Sequence, residues 1–172
     1  TVGGSSEDDN IGEMVVLPDG DVIISGSFKS SIVIDTCTGY MAPNYWSSAN
    51  AVFVAKINKN GTCDWINTVS GNQHTPRITG STYSQISIEV DSNESTYLYA
   101  AGGTGTYYFD NISLSVGDGY IGKLLPNGVW EWASRLDAPT NAETNIALKS
   151  NGELLVSNGN KILSFDQSGL TQ

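Results

Sequence analysis

The sequence is short of charge, and above all of positive charge. Only 15% of its 172 residues are charged, and eight basic residues face eighteen acidic ones, a net charge of −10. Such a chain, with no local basic cluster, repels nucleic acid and anionic membranes. No apolar run approaches the ~20 residues of a membrane-spanning helix, so membrane insertion is not expected. The one histidine, His74, lies in the polar stretch GNQHTPR. A single imidazole builds neither a His-based metal site nor a catalytic triad from this chain alone, and a surface role is expected. Two cysteines, Cys37 and Cys63, are too few for a disulfide scaffold. Each falls in or beside a connection between strands, so they either pair with each other or stay as two free thiols. The chain opens on Thr1 and carries no signal peptide, from which a processed chain or an excerpt is expected. No stretch shows helical periodicity.

What is abundant is turn chemistry. The 19 Gly, 15 Asn and 35 Ser plus Thr suit an all-β chain of short strands. The stretch FVAKINKNGTCDW (residues 53–65) recurs 67 residues later as YIGKLLPNGVWEW (residues 120–132). Lys56 aligns with Lys123, Asn60-Gly61 with Asn127-Gly128, and Trp65 with Trp132. A partial third copy, KILSFDQSG, covers residues 161–169. A fixed period of this length marks a repeat architecture.

Strands follow in the same order in each copy. In the first, residues 13–17 and 21–28 form a hairpin around Pro18-Asp19-Gly20, and residues 31–35 (SIVID) are a further extended piece. A long polar loop, 36–50, precedes strands 51–58 and 62–69, which are joined by Lys59-Asn60-Gly61. The second copy places strands at 86–90, 96–102, 119–125 and 129–136, with residues 107–114 answering SIVID. The third is compressed into 145–149, 153–157 and 161–165. Residues 1–4 (TVGG) read as the end of a strand, because Thr68-Val69-Ser70-Gly71 follows Trp65 in the same way.

Tandem four-stranded antiparallel units predict β-propeller blades, about three of them in an incomplete segment of a larger propeller. The units are residues 1–71, 72–138 and an unfinished 139–172. The repeated tryptophan is expected to fill the gap between neighbouring sheets while its N–H reaches a carbonyl. Its truncation at Trp65 or Trp132 is then expected to cost about 3–5 kcal/mol.

The order "GSF, short strand, loop, AVFVAKINKNGTCDW", and the second copy AAGGTGTYYFDNISLSVGDGYIGKLLPNGVWEWA, resemble the bacterial β-propeller repeats called SBBP repeats. The resemblance covers nearly the whole chain and implies an extracellular or surface protein with a structural or interaction role and no catalytic residues. A looser similarity links Ala55, Gly61 and Trp65 to the tryptophan-docking motif of quinoprotein propellers. Ile57 and Asn60 stand where that motif has Asp and Thr, which argues against a pyrroloquinoline quinone site.

Other patterns carry less. Residues 117–123 spell GxGxxGK, but the glycines lead into a strand and not a helix N-terminus, so no phosphate cradle is expected. The acidic runs 7–10 and 91–94 lack the alternating spacing of a calcium loop and read as solvated turns, so no metal is expected. Three glycosylation sequons, at Asn60, Asn93 and Asn111, are about the number that chance placement gives. The aromatic loop with Tyr40, Tyr45 and Trp46 is the candidate interaction site, for a protein or glycan; covering a neighbouring blade is the alternative.

The expected function is therefore a non-catalytic propeller segment, extracellular or surface-associated and without a cofactor. Its partners are other blades of the same or a neighbouring chain. The alternatives are a segment of a propeller enzyme whose active site lies in other blades, or a subunit of a virion or surface filament.

Overall fold

The computed structural model describes residues 2–4, 9–41, 51–71, 86–101, 105–117, 119–136, 145–158 and 161–169. Every regular element among them is a β-strand, and every strand pairing is antiparallel. A short strand β1 (Val2–Gly4) precedes the first repeat. That repeat supplies β2 (Asn10–Val16), β3 (Val22–Phe28), β4 (Ser31–Ile34), β5 (Cys37–Tyr40), β6 (Ala51–Ile57) and β7 (Cys63–Gly71). The second supplies β8 (Ile86–Val90), β9 (Thr96–Ala101), β10 (Gly105–Phe109), β11 (Ile112–Val116), β12 (Gly119–Leu124) and β13 (Trp130–Leu136). The third has β14 (Ile146–Leu148), β15 (Leu154–Asn158) and β16 (Lys161–Phe165).

Turn chemistry sets the hairpins. In each of the first two repeats the same loop closes two of them: Gly61 N–H bonds back to Asn58 O at 2.8 Å and Asn58 N–H to Thr62 O at 2.9 Å, and Leu125, Gly128 and Val129 repeat this geometry. The loop needs one residue in the left-handed region, and Gly61 and Gly128 supply it at φ 88° and 81°. At the corresponding point of the β8–β9 turn Glu94 adopts φ 63° instead.

The sheets do not follow the sequence repeats. The first repeat's four strands run in the order β7-β6-β3-β2, but the β10–β11 hairpin of the second repeat adds to the β7 edge and makes six strands. Tyr107 lies opposite Gly71, Tyr108 opposite Ser70 and Phe109 opposite Val69. The β4–β5 hairpin pairs with β1 in the same register: Ile32 opposite Gly4, Val33 opposite Gly3, Ile34 opposite Val2. The short strand therefore holds, beside β4, the place that the end of β7 holds beside β10. The hairpin also corrects the start of the expected loop 36–50, since Cys37–Tyr40 is a strand paired with Ser31–Ile34, while residues 42–50 lie outside the described residues.

Three apolar layers separate the sheets. Phe28, Ile32, Ile34 and Phe53 fill one between the β4–β5 hairpin and the six-stranded sheet. Val54, Ile88, Tyr107, Phe109, Tyr120 and Trp130 fill the next, against the sheet β13-β12-β9-β8. Tyr97, Ile121, Ile146, Val156 and Phe165 fill the third, against β14-β15-β16. Strands β6 and β12 are largely buried on both faces because each is sandwiched between two layers. The first strands of successive repeats, β2, β8 and β14, touch in series.

Candidate functional site

The repeated tryptophans join each sheet to the next. Trp65 lies near the start of β7, across from Lys56 on β6, and donates its indole N–H to Pro126 O at 3.0 Å in the β12–β13 turn. Its ring lies on Gly128, where a Cβ would come within 2.7 Å of it. Two residues on, Asn67 Nδ2 donates to Gly128 O. Trp132 repeats the arrangement one sheet later: its N–H reaches Gln167 O at 2.8 Å, its ring covers Gly169 with 2.6 Å left for a Cβ, and Ser134 Oγ donates to Gly169 O at 2.8 Å. Each seat thus needs a tryptophan, a hydrogen-bonding side chain two residues later, and a turn glycine in the following sheet. Both tryptophans are half-buried. Because the rings are only half-buried, truncation belongs nearer about 2–3 kcal/mol than the 3–5 of an enclosed aromatic.

The position buried outright is the one two residues earlier. Trp130 meets Phe109 edge-on at 5.1 Å, and Phe109 meets Tyr120 at 5.1 Å. In the first repeat that position is Cys63, which forms a disulfide with Cys37 and so ties β5 to β7. A cysteine and a tryptophan at equivalent places serve one purpose, fastening an inserted hairpin to the fourth strand. Disulfides persist in oxidising compartments. No helix among the described residues is long and apolar enough to cross a membrane.

The repeated lysines hold ion pairs at the same level. Lys56 Nζ lies 3.2 Å from Asp21 and 3.0 Å from Glu94, so it bridges the first sheet to the β8–β9 turn of the second. Burial acts to lower its pKa, but the Glu94 and Asp21 carboxylates outweigh this and hold it above the ordinary lysine value. Lys123 pairs with Glu131 at 2.8 Å and sits 5.6 Å from the centre of the Tyr97 ring. Asn60 and Asn127 are exposed at the turn tips, where Asn127 Oδ1 accepts the Val129 N–H at 3.2 Å.

Of the proposed interaction residues, Tyr40 is 67% exposed at the end of β5, while Tyr45 and Trp46 lie outside the described residues, as does His74. Asp91 turns its carboxylate inward to the Asn93 and Ser95 N–H groups at 2.8 and 2.9 Å. No group of three or more His, Cys, Asp or Glu able to hold a metal occurs among the described residues. The GxGxxGK stretch runs into β12, and its Gly122 lies under the Trp130 ring.

One cluster could not be read from spacing. Glu13 on β2 accepts the Ile88 N–H at 2.6 Å, which brings its charge close to Glu89 on β8. Burial, reinforced by Glu13, pushes the Glu89 carboxyl above its ordinary value. The two residues are 76 apart in sequence, and only the contact between β2 and β8 brings them together. A scan against protein-family models found no match, and a search of curated proteins found no similar sequence.

Proposed function

We propose that the chain is a non-catalytic segment of a β-propeller, built of two complete blades and part of a third, that serves as a structural and interaction module in an extracellular or surface protein. The observation that carries this is the tryptophan seat, used twice in the same geometry to fix one sheet on the next. Serial contact of the first strands β2, β8 and β14 supports a fan of blades about their inner edges. The resemblance to SBBP repeats and the disulfide support a secreted setting. Tyr40, with Tyr45 and Trp46 of the aromatic stretch that follows it in sequence, is the proposed contact for a protein or glycan partner.

The acid pair Glu13–Glu89 favours a second reading, in which inner strands contribute to a propeller enzyme. Hydrolysis assays with chromogenic glycosides and esters separate the two. The structural reading expects no turnover above background, and a turnover abolished by Glu89→Gln would replace it with the enzyme.

A further inference from the structure

The sheet β7-β6-β3-β2 has one face that the repeat itself shows to be a docking face. By register, Met14, Ile88 and Ile146 are equivalent, since they pair with Ile24, Leu98 and Val156, each the third residue of its hairpin's second strand. Ile88 and Ile146 are 4% and 6% exposed, each covered by the preceding sheet. Met14 is 64% exposed, and Val16, two residues on along the same face, is 67% exposed. The turn glycines behave in parallel. Gly128 and Gly169 lie under tryptophan rings, whereas a Cβ on Gly61 would meet nothing within 4 Å among the described residues.

Two independent features, an apolar strand face and a turn glycine without a ring on it, therefore lack the same neighbour among the described residues. We infer that this face, Met14, Val16 and the Gly61 turn, is a docking site for a further unit of the same repeat whose fourth strand carries Trp-x-Asn or Trp-x-Ser. The inference rests on the blade reading above. The occupant is specified by the two filled seats: an indole to lie on Gly61 and donate to the Lys59 carbonyl, and an amide or hydroxyl two residues later for the Gly61 carbonyl. A second copy of this chain is a poorer fit. It offers the exposed Ile162, at 73%, but both of its seat tryptophans are already engaged, and its third sheet has no described fourth strand.

The test titrates the isotope-labelled 172-residue chain with a synthetic peptide of residues 51–71, carrying C63S to remove its thiol, and follows Gly61 and Met14 by NMR. Both signals are expected to shift. Trp65→Ala in the peptide, or Gly61→Ala in the chain, is expected to weaken binding about tenfold, the effect of losing one hydrogen bond and a ring contact. No shift up to the peptide's solubility limit, or equal binding by the Trp65→Ala peptide, overturns the inference. So does movement of both signals with chain concentration alone, which makes the occupant a second copy. Gly128 in the same spectra keeps the two levels apart. If its protons contact the Trp65 indole while Gly61 ignores the peptide, only the docking inference fails; if Gly128 shows no such contact, the blade reading fails with it.

Discussion

Replacing Gly128 and Gly61 by alanine, one at a time, isolates the energy of a tryptophan seat. Both glycines occupy the same loop position with nearly the same backbone, φ 81° and 88°. Each alanine therefore carries a similar left-handed strain, about 1–2 kcal/mol. At Gly61 the new methyl meets no described residue, so strain is the whole cost. At Gly128 it lands 2.7 Å from the Trp65 ring, which must lift. Lifting it breaks the 3.0 Å bond to Pro126 O and disturbs the Asn67 bond, each worth about 1 kcal/mol, and overpacks the ring against the turn. Gly128→Ala should thus cost about 2–3 kcal/mol more than Gly61→Ala in urea unfolding. In a Trp65→Ala background the excess should vanish, because the ring that the methyl strikes is gone. Equal costs in the wild-type background, or an excess that persists without the indole, would refute the seat as a source of stability.

Other expectations follow from the same contacts. Replacing Cys37 and Cys63 by serine opens a loop of sequence separation 26 and should cost about 3.5 kcal/mol, lowering the melting temperature by about 7–14 °C; a thermal scan with and without reductant checks it. Phe109→Ala empties the ring cluster with Tyr120 and Trp130 and should cost about 3–5 kcal/mol by chemical denaturation, with the hairpin's amide protons losing exchange protection first. Lys149, then Ser164 and Asn151, hold the Glu153 carboxyl down at about 2, from an ordinary 4.5. A depressed carboxyl stabilises fully above its unfolded value, so this contribution is intact above about pH 4.5 and lost as pH falls toward 2. Glu153→Gln should therefore flatten stability against pH in that window and nowhere above it.

The sequence made local features legible and left long-range pairings hidden. Alternation and turn glycines located the hairpins around residues 18–20 and 59–61, and the period of 67 made Trp65 and Trp132 equivalent before any contact was known. The likeness of TVGG to TVSG pointed to a strand end at residues 1–4, and β1 over Val2–Gly4 pairs in the register of β7. The transfer of the β10–β11 hairpin to the preceding sheet had no local signal, because an edge pairing depends on which strand lies alongside. Residues 37–40 read as part of a long polar loop, yet SIVI opposite and the bond to Cys63 hold them as a strand. Cys63 and Trp130 look unrelated until the register sets them at the same place. Glu13 and Glu89 belong to separate hairpins whose contact no spacing encodes.

The most direct measurement is the proton chemical shift of three glycines. An indole lying on a glycine shields its Hα protons, and close approach gives nuclear Overhauser contacts to the ring. Gly128 and Gly169 should show upfield Hα signals with contacts to the Trp65 and Trp132 indoles, while Gly61 shows neither. Three alike glycine shifts without indole contacts would contradict the account, since the sheets would then be joined by something other than the tryptophan seat.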